Sequence, residues 1–90
     1  MSEDLKRLRD RIEQIDREIV KLIAERVELA REVGAVKQAL DMPTLDPARE
    51  AVVIRRSGEL AREAGIEEED VRQIFWHLVG LSRRAQIEAK

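Results

Sequence analysis

Two cations eleven residues apart, Arg26 and Lys37, stand on a stretch otherwise patterned to bury leucine, isoleucine and valine. Leu5, Leu8, Ile12, Ile15, Ile19, Leu22, Leu29, Val33, Val36 and Leu40 follow alternating three- and four-residue steps, the heptad spacing of a long helix with one apolar stripe. Arg26 occupies the place of the next apolar residue in that series. A guanidinium taken from water without a partner costs several kcal/mol, so Arg26 needs an anion, either an internal carboxylate or one brought by a ligand. A register-setting ion pair inside a coiled coil satisfies the same spacing. Lys37, three turns further on, returns to nearly the same face at about 100° per residue, so both side chains can converge on one ligand.

The anomaly recurs downstream. The apolar stripe through Leu78 continues at a spacing of four into Ser82 and then Gln86, whose hydroxyl and amide need hydrogen-bond partners if they are buried. Glu50 lies four residues after Asp46; a reciprocal capping box would have its carboxylate at position 49, which is Arg49, so Glu50 is not explained as a cap partner. Taken singly, each of these residues is more commonly a solvated face or a local salt bridge. Together, inward cations with a neutral amide, a hydroxyl and one carboxylate describe a pocket for a small dianion that bears a hydroxyl group. Arg9, seventeen positions before Arg26, lies on another face and roughly 25 Å away along the axis, beyond reach within one chain. In an antiparallel pair of such helices it could be donated by the second copy.

The elements that must position these residues are three helices, an all-α fold. The first is expected from Ser2 or Glu3 to Leu40, where Asp41, Met42 and Pro43 break it. Asp46 as N-cap with Pro47 at the first helical position opens the second, which closes at Gly65 with Ile66 as the apolar residue of the cap. The acidic run Glu67 to Asp70 opens the third, with Val71, Ile74, Phe75, Leu78 and Leu81 expected on its inner face and Trp76 in the core. Ser57 and Gly58, poor helix formers, mark the second helix as the least stable. A rod of more than ~50 Å cannot be covered by two shorter helices, and the simplest partner is a second copy related by twofold symmetry, an intertwined homodimer.

Ninety residues are expected to form a single domain spanning 1–90, small enough to benefit from oligomerisation. Seventeen basic and 19 acidic side chains, net charge -2, are interspersed rather than gathered into a basic face, which argues against a nucleic-acid partner. There is no cysteine and one histidine, His77, so neither a disulfide scaffold nor a metal site is indicated. The four glycines form no phosphate-cradling loop, and no cofactor is implied. The amino terminus lacks the apolar core of a signal peptide and no apolar run is long enough for a bilayer, so no membrane partner and a cytoplasmic location are expected.

With these residues in order, the chain resembles the all-helical chorismate mutases over essentially its whole length. LIAERVELAREVGAVK, Leu22 to Lys37, is similar to the family's signature stretch; LRDRIEQID, Leu8 to Asp16, to its amino-terminal turn; and DPARE, Asp46 to Glu50, to the start of its second helix. Ser82 and Gln86 match the family's positions in the third. The resemblance implies that Arg9 of a partner subunit and Arg26 bind the two carboxylates of chorismate, assisted by Ser82. It implies that Lys37 and Gln86 donate to the enol-ether oxygen and that Glu50 and the Asp46 region receive the ring hydroxyl. Arg49 would support this network, either at the substrate or behind it. The reaction so implied, rearrangement of chorismate to prephenate in phenylalanine and tyrosine biosynthesis, needs neither a nucleophile nor a general base.

Two other readings stay open on the sequence. An isochorismate-pyruvate lyase would use a similar cationic pocket, although those lyases tend to lack the carboxylate matched by Glu50. A catalytically silent helical dimerisation module would keep its polar seam residues as register devices, and Arg26→Leu would strengthen its dimer without loss of activity.

Overall fold

The computed structural model describes residues 2–89. It consists of α1 (Ser2–Ala39), α2 (Pro47–Ala64) and α3 (Glu68–Glu88), with no strand among the described residues. Each boundary has a local cause. At the end of α1, Asp41 takes a left-handed conformation (φ 56°), which short polar side chains tolerate. The Met42 N–H then donates to the Lys37 carbonyl at 2.8 Å and the Asp41 N–H to that of Gln38 at 3.1 Å, a Schellman cap. The second helix starts as its sequence suggests, Asp46 accepting from the Arg49 N–H at 3.1 Å with Pro47 behind it. It ends at Gly65 (φ 75°), where the Ile66 N–H reaches the Ala61 carbonyl at 2.9 Å. Beyond that turn, Glu68 pairs with both Arg62 and Arg72 and ties the end of α2 to the start of α3.

The third helix packs against both others, while α1 and α2 make no close backbone approach to each other. It therefore floors a gap between them. The contacts rest on small residues: Ala30 and Gly34 of α1, Ser57, Gly58 and Ala61 of α2, and Ala85 of α3 are buried, alongside Ile54 and Val79. Ser57 and Gly58 are thus not a weak point exposed to water. Ser57 is 1% exposed with its hydroxyl turned back to the Ile54 carbonyl at 2.6 Å, and the absent side chain of Gly58 leaves room for the Arg72 guanidinium. At Gly34 the approach is closest, since a Cβ there would stand 2.6 Å from the Gln86 carbonyl oxygen and 2.8 Å from its Cα.

Two inward assignments on α3 are corrected. Ile74 and Trp76 are each 58% exposed in the single chain, where neither α1 nor α2 covers them. His77 is exposed, as its place off the stripe suggests. The α1 seam is also bare. Every residue from Ser2 to Leu22 is exposed, because α3, 21 residues long, spans about 32 Å and α1, 38 residues long, about 57 Å. No helix is long and apolar enough to cross a membrane.

The Gly34 contact can be tested against a control. Gly34→Ala should destabilise the protein by about 1 to 3 kcal/mol through overpacking against the α3 backbone. Gly80→Ala, whose Cβ would meet only the Arg84 guanidinium at 3.6 Å, should be neutral or stabilising by up to about 1 kcal/mol from helix propensity. Urea denaturation midpoints separate the two; equal shifts would place no tight approach at Gly34.

Candidate active site

The gap between α1 and α2 is a cavity of about 370 Å³, within the range of small-molecule sites. Arg26, Lys37, Asp46, Arg49, Glu50, Ser82 and Gln86 all line it, so seven of the eight residues singled out from sequence come together. Leu29, Ala30, Val33, Val53 and Val79 supply apolar wall. Arg9 does not reach it; it lies exposed on the uncovered half of α1.

The hydrogen bonding follows from which groups can donate. Lys37 Nζ donates to the Thr44 carbonyl at 2.9 Å and to Gln86 Oε1 at 2.7 Å. An ammonium has three N–H bonds and no acceptor, so one N–H remains, and the amide oxygen of Gln86 is fixed toward the lysine with its NH₂ left to donate elsewhere. Arg26 Nη1 donates to Ser82 Oγ and to the Leu78 carbonyl, leaving Nε and Nη2 for another acceptor. Arg26 is therefore held by neutral groups alone, and its pKa is lowered from the ordinary arginine value, first by burial and then by the Arg56 charge. Among the described residues every buried side-chain polar atom has a partner.

The acids are engaged on the opposite wall. Asp46 Oδ1 caps α2. Glu50 is gripped by Arg83, whose Nε and Nη2 donate to its two oxygens at 3.0 and 2.6 Å. Hydrogen bonding from Arg83 holds the Glu50 carboxyl below the usual glutamate range against the opposing effect of burial. Among the described residues no cluster of histidine, cysteine, aspartate and glutamate could hold a metal ion.

Arg56 and Arg83 escaped the reading of the sequence. Arg56 lines the cavity seven residues after Arg49, with Val53 between them at the helical spacing, and that two-turn repeat was a usable signal. Arg83, beside Arg84 in a basic run, carries no such mark.

Comparison with known proteins agrees with this arrangement. Residues 8–87 match the family model of chorismate mutase type II. The chain is 37% identical over 86 residues to the chorismate mutase of Methanocaldococcus jannaschii, covering 96% of this chain and 87% of that protein. It is 36% identical over 73 residues to the T-protein of Haemophilus influenzae, covering 81% of this chain but 19% of that protein. A conserved hypothetical protein from Pyrococcus furiosus has a similar solved structure, with a TM-score of 0.73 and 35% identity over 91% of this chain and 93% of that one. The chain, three helices around a cationic cavity and matched along nearly its whole length, belongs to the type II chorismate mutase family.

Proposed function

We propose that the cavity binds chorismate and that each working site is completed by Arg9 of a second copy of the chain. The enzyme is a chorismate mutase, an isomerase that converts chorismate to prephenate in aromatic amino acid biosynthesis. The observation that carries the assignment of roles is that Lys37 and Gln86, joined at 2.7 Å, each keep N–H donors free, one on the lysine and two on the amide. In the concerted [3,3] rearrangement the ether C–O bond breaks as a C–C bond forms, and negative charge grows on the ether oxygen. Two donors fixed in advance and aimed at that oxygen stabilise the transition state more than the substrate. Arg26, with Nε and Nη2 free, takes one substrate carboxylate and is steadied by Ser82. Holding both carboxylates selects the compact conformer in which the reacting carbons meet, which removes part of the entropic barrier. Asp46 and Glu50 accept the ring hydroxyl, and Arg49 adds positive charge beside them.

The second copy is supported by the seam. Leu5, Leu8, Ile12, Ile15, Ile19 and Leu22 are 40 to 62% exposed, an apolar strip along a bare rod that water disfavours and an identical rod can cover. An intertwined homodimer of single-domain chains with shared sites follows, working in the cytoplasm. The lyase and silent-module readings lack support of this kind: Glu50 is present in the cavity wall, and unpaired donors are not register devices.

Purified protein should convert chorismate to prephenate, and Gln86→Glu should lose about 10²- to 10³-fold in kcat at neutral pH, the usual effect of removing one such donor. At 2.7 Å from Lys37, an ionised glutamate pairs with the lysine and repels the developing charge. Activity of the variant should rise as pH falls and the carboxyl regains its proton. No conversion by folded wild type overturns the function, and a flat or alkaline-rising profile for the variant overturns the role of Gln86. The shared site has its own test. Arg9→Ala and Arg26→Ala should each be nearly inactive, whereas subunit exchange between them restores one intact site per mixed dimer, about a quarter of wild-type activity at random mixing. Continued inactivity after demonstrated exchange would remove Arg9 from the site.

A further inference from the structure

Arg83 is absent from the cavity wall, yet it makes the most complete side-chain grip on any residue that lines the cavity. Its guanidinium reaches from α3 across to α2 and takes both oxygens of Glu50, a partner 33 residues away. A carboxylate offers about four lone-pair positions and the fork uses two of them, so acceptor capacity remains on Glu50.

A site for a dianion has a difficulty with its own acids. An ionised glutamate in the wall repels the substrate carboxylates that Arg26 attracts, and it competes with them for cations. Lys37, from α1, is near enough for its charge to act on Glu50, and Arg49 lies one residue before it on α2. A mobile Glu50 could fold onto Lys37 and occupy the one N–H kept free for the ether oxygen. Arg83 engages both carboxylate oxygens, and no Glu50–Lys37 contact is present among the described residues.

We propose that Arg83 is a positioning residue for the mutase reaction: it neutralises Glu50 from behind, fixes the plane of its carboxylate toward the substrate hydroxyl and keeps it off Lys37. The inference rests on the reading that Glu50 accepts that hydroxyl. Arg83 never touches the substrate; it acts through Glu50 alone. Three charged groups act on Glu50, namely Arg83 from α3, Lys37 from α1 and Asp46 at the start of α2; Arg26, Arg49 and Arg56 line the same cavity, and Arg55 and Arg72 line the groove on the other side of α2. Of these, Arg83 supplies the largest stabilisation of the ionised form. Its removal therefore raises the pH at which Glu50 takes up a proton, and the acid limb of activity moves to higher pH.

The test is a double-mutant cycle on the full chain with chorismate as substrate, reading kcat/KM across pH, with circular dichroism to establish folding. Arg83→Met should lower kcat/KM about ten- to a hundredfold and shift the acid limb upward. In a Glu50→Gln background, Arg83→Met should produce no further loss. Arg83→Lys, which keeps the charge without the fork, should shift the acid limb less than the methionine variant does and lower kcat, and it carries the test if the methionine variant fails to fold. A folded Arg83→Met enzyme with wild-type kinetics and pH profile overturns the inference, as do losses that multiply in the double variant. Wild-type kinetics for Glu50→Ala, which carries no side-chain acceptor, would instead overturn the hydroxyl-acceptor reading, and the role of Arg83 with it.

Discussion

Arg26 and Lys37 are cations held in place by neutral atoms, and the rest of the site is arranged around that imbalance. Ser82 Oγ, the Leu78 carbonyl, the Thr44 carbonyl and Gln86 Oε1 orient the two groups without discharging them. A carboxylate in their place would have made better ion pairs and no site. The acid that could have done so, Glu50, is neutralised on the far side by Arg83, and Arg56 adds a further positive charge that Arg26 already feels. Folding thus leaves a concentrated positive field in a partly apolar cavity, where charge interactions are stronger than in water. On the proposed function, a dianion would relieve it, and the transition state, with charge on a third oxygen, would relieve it further.

Holding such a field requires rigid walls. The floor is α3, which alone touches both of the helices that carry the cations and the acids. Its backbone at Gln86 lies so near Gly34 that no side chain fits between them, so the Gln86 amide is positioned by a contact of main chain on main chain. The cap that ends α1 contributes as well. By turning the chain at Asp41 it returns Thr44 to within 2.9 Å of Lys37, using the loop itself as one of the lysine's acceptors.

Much of this was legible in the sequence because it depends on periodicity. A heptad seam broken at Arg26, a lysine eleven residues on, and a stripe that turns polar at Ser82 and Gln86 all follow from the pitch of a helix, and the cap residues located the helix ends. What escaped depends on which faces meet. One residue along a helix is about 100° around it, so nothing in a run of two arginines tells Arg83 from Arg84 until the position of α2 is known. Propensity alone also leaves out what Ser57 and Gly58 do in packing, since their small size lets α2 approach α3. Trp76 and Ile74 looked like core by hydrophobicity and are more than half exposed in the single chain.

On the proposed function, Arg26 is an uncompensated charge kept for a ligand rather than a structural tie. Thermal unfolding of wild type and Arg26→Leu, each with and without saturating prephenate, tests it most directly. A ligand at a hundred times its dissociation constant stabilises the folded state by about 2.7 kcal/mol. Wild type should show that upward shift. Without ligand, Arg26→Leu should be at least as stable as wild type, since leucine restores the apolar seam, and it should lose most of the shift with prephenate. A ligand-free Arg26→Leu protein that is several kcal/mol less stable, or one that keeps the full shift, would show that the arginine serves the fold and not the substrate.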